Sequence, residues 1–168
     1  MSFQKVRYSK SNVGMSLVEV VVGTALILIA LIGLVNAYSF YLKAGFKNTD
    51  ELKASFLLQE GVEGVTLIRD DGWGSLSALT SGTPYFLSWN GTKWVATTTE
   101  VLVGGMFRRT VTLEDVYRRD SDKDIVATTS VEAKSLDPFT KKLTVVVSGT
   151  TASTTKTETV TYLTNLFE

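Results

Sequence analysis

From Met15 to Tyr38 the chain runs about 24 positions with one charge, Glu19, and one strongly polar side chain, Asn36, besides a few Ser and Thr. At about 1.5 Å per residue a helix of that length reaches roughly 35 Å, enough to cross a hydrocarbon layer of about 30 Å. A carboxylate inside such a helix costs roughly 2.5 to 3.5 kcal/mol on insertion scales. A charge at that cost calls for a partner, and the position of Glu19 narrows what the partner is.

The residues upstream are Met1 to Gly14, with Lys5, Arg7 and Lys10 and no acid. A basic leader of this kind stays on the cytoplasmic side of a membrane by the positive-inside bias. Secretory signal peptides are cut after their apolar stretch, at small residues, and here that site would fall near Ala37. Instead a glycine stands before the apolar stretch, in Gly14-Met15-Ser16-Leu17-Val18-Glu19. A basic leader, a glycine, then an apolar helix with Glu at its fifth position resembles the class III signal of type IV prepilins and type II secretion pseudopilins. The resemblance implies cleavage after Gly14 by a membrane prepilin peptidase and methylation of the new N-terminus at Met15. It departs from the family's most frequent residue at Met15, where Phe is usual. The competing reading is a plain signal anchor with an isolated Glu.

Composition bounds the remainder. The 168 residues allow one modest globular domain beyond the helix, and the formal net charge is zero. Without Met1–Gly14 there remain 14 Lys and Arg against 17 Asp and Glu, a net of −3. No basic bias therefore points to nucleic acid, and the pair Arg108-Arg109 is too small to change that. With no Cys and no His, disulfides, Ser-His-Asp and Cys-His catalysis and the usual His or Cys zinc sites are excluded. No catalytic constellation is spaced in the chain, so the expected role is that of a peptidase substrate and not an enzyme.

Nothing between Tyr38 and Ile68 stops the helix: the stretch has no proline and is rich in Lys, Glu, Leu, Ala and Gln. A single helix from about Met15 to Arg69 is expected, with Asp70-Asp71-Gly72-Trp73-Gly74 as its stop. The family often has a proline about twenty-two residues into the mature chain; here Asn36 stands there, leaving Gly33 and Asn36 as the weak points of the helix. Leu42, Phe46, Thr49, Leu52 and Phe56 form one stripe, and Leu58, Val62 and Val65 continue on nearly the opposite side. Two apolar faces suggest burial twice, against the chain's own head and against neighbouring subunits; the alternative is one stripe that shifts as the domain wraps around the helix. Gly61 and Gly64 each cost about 1 kcal/mol relative to Ala in a helix, which close approach of a strand or helix would justify. The stretch from Leu57 to Trp73 resembles that of PilV-like minor pilins.

From Trp73 onward Thr, Val, Tyr, Phe and Trp dominate. Tyr85–Trp89, Asn90-Gly91 and Thr92–Ala96 predict a hairpin on a type I′ turn. Arg108–Arg118, Lys142–Ser148 and Thr157–Leu163 alternate as strands, the last two joined across Gly149–Ser153. Four or five strands need cover, and the amphipathic half of the helix supplies it. The expected fold class is α+β and pilin-like: residues 1–14 a leader, 15–38 the membrane and filament-core half of the helix, 39–70 its amphipathic half packed on an antiparallel sheet, and 71–168 a β-rich head.

Asp120, Asp122 and Asp124 have the one, three, five spacing of a calcium loop, but Ile125 stands where that loop needs Gly and position twelve is Val131. An acidic hairpin turn is the favoured reading, with calcium the alternative and no other cofactor expected. Asn90-Gly91-Thr92 is formally a glycosylation sequon that turn chemistry explains. β-propensity likewise accounts for the Thr-rich Thr150–Thr161.

The resemblance implies a structural subunit of a type IV pilus-like filament, a minor pilin, held as a single-pass cytoplasmic-membrane protein before joining a surface or periplasmic filament. Implied partners are other pilin subunits, the prepilin peptidase and the assembly platform with its ATPase. In the family the mature N-terminal ammonium, here on Met15, neutralises the glutamate of an adjacent subunit, here Glu19. The alternatives are a pseudopilin of a secretion or DNA-uptake system and a membrane-anchored binding module that forms no filament.

Overall fold

The computed structural model describes residues 13–150 and 156–166, with side chains from Ser16 onward. Most of the expected leader, Met1 to Asn12, and the residues Thr151–Thr155 of the expected hairpin connection lie outside the described residues. The elements, in chain order, are α1 (Val13–Asp70), α2 (Trp73–Ser77), β1 (Pro84–Trp89), β2 (Trp94–Thr97), β3 (Leu102–Val103), β4 (Phe107–Arg119), β5 (Ile125–Val126), β6 (Lys134–Gly149) and β7 (Thr157–Thr164). The chain is α+β, a long N-terminal helix followed by an antiparallel sheet of seven strands. It divides into two compact units, Met1–Phe46 and Lys47–Glu168, so the helix residues from Lys47 belong with the head.

α1 is uninterrupted through Gly33 and Asn36. It stops where expected: the Asp71 N–H bonds the Leu67 carbonyl, the Gly72 N–H bonds the Arg69 carbonyl, and Gly72 takes φ +148°. That angle needs a residue without Cβ, and it redirects the chain into α2.

In the head the strand order is β2-β1-β4-β6-β7, with β3 and β5 pairing short stretches of β4. β4 alternates, sending Phe107, Val111, Leu113 and, past an irregularity, Val116 into the core, where Leu143, Val145 and Val147 of β6 meet them. The helix covers this face through Ala54, Leu58, Val65 and Ile68. The stripe that continues Leu58 and Val65 is therefore the one buried in the head. Leu52 and Phe56 of the other stripe remain open, 59% and 64% exposed.

Both helix glycines have the close neighbours their cost requires. A Cβ on Gly61 would stand 2.7 Å from Cγ1 of Val145 on β6 and 3.2 Å from Cδ of Arg109. One on Gly64 would stand 3.2 Å from Cδ1 of Leu87.

Three expectations need correction. The sheet has seven strands and not four or five, because β3 and β5 add short pairings to β4, and β6 begins at Lys134, well before Lys142. The β6 register jumps from Lys141 opposite Asp115 to Asp137 opposite Val116, leaving Pro138, Phe139 and Thr140 as a bulge. A bulge is where a strand accepts proline, and the Pro138 carbonyl accepts a bond from the Trp73 indole at 3.2 Å. The Asn90-Gly91 turn is also not type I′. That turn needs positive φ at both residues, yet among the described residues only Lys123 is a non-glycine with positive φ. Four residues connect Trp89 to Trp94, and the Asn90 side-chain oxygen accepts bonds from the N–H groups of Thr92 and Lys93 at 3.0 and 2.9 Å. Finally, Trp73 opens a short helix and not the β-rich region.

Candidate functional site

The segment that singles this chain out is the first part of α1. Sixteen large apolar side chains between Leu17 and Tyr41 are half exposed or more, and they point in every direction around the helix. Among the described residues this is the one helix long and apolar enough to cross a membrane, and its most apolar window buries nothing within the chain. Glu19 sits within this surface, exposed, flanked by Leu17, Val18, Val20 and Val21. One turn on, the Thr24 hydroxyl is absorbed by the carbonyls of Val20 and Val21, both at 2.9 Å, so the helix satisfies its own polar group. No ion pair forms on Glu19 among the described residues. Gly14 and Met15 lie in the first turns of α1, and the Met15 side chain lies outside the described set. An apolar surface complete around a helix, interrupted by one carboxylate, suits lipid or a bundle of like helices.

A second charged site is buried in the head. Arg109 is 2% exposed, on the core face of β4, beneath the helix. Its Nη1 stands 3.1 Å from Oε1 of Glu60, its guanidinium lies 5.3 Å from the centre of the Trp94 ring, and Nη1 reaches the Leu57 carbonyl at 3.5 Å. Nε is buried without a partner. Reading Arg108-Arg109 only as a basic pair too small to point to nucleic acid did not assign Arg109 to the core. The alternation of β4 carried the signal, since Phe107, Arg109 and Val111 share one face.

The three aspartates of the expected acidic turn are not assembled as a ligand set. Asp122 accepts from Arg119 Nη1 at 2.6 Å and from the Asp124 N–H at 3.1 Å. The Asp124 bond, with Arg119 beside it, holds the Asp122 carboxyl below the usual carboxylate range. Arg119 also binds Glu132 at 2.7 Å, while Asp120 lies 4.0 Å from Lys123. The Lys134 ammonium closes the same loop, bonding the carbonyls of Thr128 and Ser130 over the Tyr117 ring. No group of three His, Cys, Asp or Glu side chains among the described residues is placed to hold a metal ion.

A groove of about 240 Å³ opens beside β2, between Ile68, Leu79 and Trp94, with the Asp71–Lys93 pair (3.2 Å) at its rim. Comparison with family models, curated proteins and solved structures finds no match to this chain.

Proposed function

We propose that the chain is a structural subunit of a type IV pilus-like filament, a minor pilin, cut after Gly14 and assembled through the apolar half of α1. The observation that carries the reading is Glu19: a lone carboxylate, five residues after a glycine, on an apolar helix exposed all round. The subunit waits in the cytoplasmic membrane with its leader inside and its head outside. Cleavage frees the Met15 ammonium, which pairs with Glu19 of a neighbour in surroundings of low dielectric. The open Leu52 and Phe56 on the head's helix extend the surface available to neighbouring helices. The chain acts as a peptidase substrate and a building block.

The first test is the intact mass and N-terminal sequence of the membrane-extracted protein. The expected product begins at Met15 and is heavier by one methyl group. Retention of Met1–Gly14 in a host with a working prepilin peptidase would refute the reading and leave a signal-anchored module. The second test is Glu19→Ala. Removing one partner of a buried ion pair costs about 3 to 5 kcal/mol. The variant is expected to be processed normally yet to be lost from sheared filaments; normal incorporation defeats the proposed pairing.

A further inference from the structure

The strand order β2-β1-β4-β6-β7 ends in β2 and β7, and these two ends are guarded differently. β2 has four residues and lies beside the groove and the Asp71–Lys93 pair. β7 has eight, Thr157–Thr164, paired on one side with β6 in an unbroken register from Thr140 opposite Thr164 to Val147 opposite Thr157. Among the described residues no strand pairs with its other side. Soluble proteins block such edges with lysine, proline, bulges or short strands. β7 itself has no proline, no lysine and no bulge; Glu158 is its one charge, paired at 3.6 Å with Lys156 just before the strand.

The residues of β7 also specify what fits this edge. Val160 and Tyr162, 49% and 46% exposed, stand two apart on the open face. We propose that β7 pairs antiparallel with β7 of a second copy about a two-fold axis at Thr161. That register sets Val160 opposite the second copy's Tyr162, twice, gathering four exposed side chains into one cluster of aromatic and β-branched pairs. On the other face Thr159 meets Leu163. Glu158 meets Thr164, so the two Glu158 carboxylates are displaced by six residues, about 20 Å along the strands, beyond the ~8 Å screening length. No like charges are opposed. Gly61 of α1 stands over Val145 of β6, with Arg109 of β4 beside it. Three spacings of about 4.8 Å separate the two β6 strands, so the helices over them are roughly 14 Å apart, more than a helix diameter of about 10 to 12 Å, and do not collide. A two-fold normal to the sheet reverses every direction in its plane, including that of the covering helix. The contact therefore joins two heads whose helix segments, from Lys47 to Asp70, run in opposite directions. It is distinct from packing within one filament and rests on the sheet alone.

The chain has no cysteine, so introduced ones report without background. At the axis a Thr161→Cys side chain faces its own twin, with Cα atoms about 4.5 to 5.5 Å apart, inside disulfide range. Thr159→Cys, on the same face, sits about 14 Å from its twin, outside the ~7 Å limit. Under mild oxidation of the detergent-solubilised full chain, Thr161→Cys is expected to give linked dimer in roughly tenfold excess over Thr159→Cys. Val160→Lys in the same chain should abolish it. If Thr161→Cys lowers the melting temperature, the exposed positions decide. Val160→Cys and Tyr162→Cys chains should each stay monomeric alone and link when mixed. Equal linking at 159 and 161, or no linking at 161 together with none in the mixture, overturns the pairing.

Discussion

Gly61→Ala isolates the close approach between helix and sheet. Two effects oppose each other. Alanine gains about 1 kcal/mol over glycine in a helix interior. Against that, the new methyl would lie 2.7 Å from Cγ1 of Val145 and 3.2 Å from Cδ of Arg109. Neither neighbour yields easily. Val145 is fully buried, on a strand held between β4 and β7, and its branched side chain has restricted χ1. The Arg109 stem is fixed by Glu60 and Trp94. Overpacking of this kind costs about 1 to 3 kcal/mol, leaving a net loss of up to about 2 kcal/mol. For a domain of this size that lowers Tm by up to roughly 8 °C. Gly64→Ala serves as the control: its methyl meets only the terminal Cδ1 of Leu87 at 3.2 Å and the Trp94 ring at an ordinary 3.4 Å, so the gain and cost should nearly cancel. Thermal unfolding of the detergent-solubilised chain can be followed by tryptophan fluorescence, since Trp73, Trp89 and Trp94 all report on the head. Val145→Ala destabilises alone, but in the Gly61→Ala background it also removes the clash, so the double-mutant cycle should show favourable coupling of about 1 kcal/mol or more. A Gly61→Ala chain as stable as Gly64→Ala, or a cycle without coupling, would refute the close-packing argument.

Replacing Arg109 with Met should leave Tm unchanged or raise it, because a buried guanidinium with an unpartnered Nε gives way to apolar packing; Arg109→Ala, which leaves a cavity, should lower it clearly. Acid should destabilise the head. The Lys141 ammonium beside Asp115 holds that carboxyl below the ordinary range; for Asp137, burial alone would raise it, but bonds from Arg118, Thr140 and the Phe139 N–H together outweigh that and lower it. Carboxyls lowered on folding contribute fully above their unfolded value of about 3.9 and lose that contribution as pH falls through the folded value. Tm should thus be flat between pH 7 and about 5 on this account and fall below about 4, with a shallower fall in Asp115→Asn. Millimolar calcium should leave the Tm of the parent chain unchanged, as Asp122 is occupied by Arg119 and its own loop; a calcium-dependent rise lost in Asp122→Ala would restore the calcium reading.

What could be read in advance followed from local rules. The absence of proline and the Asp-Asp-Gly stop located the helix, and the glycine cost at Gly61 and Gly64 called for neighbours that Val145 and Leu87 supply. Alternation located the long strands. The rest depended on contacts distant in sequence. Lys134–Asp137 joins β6 only because β4 reaches that far across a bulge, and proline in a lone sequence argues against a strand. Positive φ at Asn90 was expected from dipeptide preference, whereas the four-residue connection satisfies its side chain another way. At the candidate site Glu19 was legible as a charge out of place, but a chain standing alone cannot show its partner, because on the proposed reading that partner is another subunit.

That point decides which interaction controls assembly on the proposed reading. Removing an apolar side chain from water is worth about 1.5 to 3 kcal/mol, so the sixteen exposed ones between Leu17 and Tyr41 far outweigh the roughly 2.5 to 3.5 kcal/mol cost of Glu19. On the proposed reading the helix therefore enters an apolar phase regardless of Glu19. Lipid and a bundle of helices are nearly equal as apolar surroundings, however, so most of the hydrophobic gain is present before assembly and cancels in the transfer between them. What differs is the carboxylate, costly alone in lipid and paired in the bundle. Glu19→Ala should leave membrane residence intact while weakening the step out of the membrane, and Glu19→Gln, which keeps the shape without the charge, should fail in the same way. A Gln variant that assembles normally would place the driving force in helix packing and remove the charge pair from the mechanism.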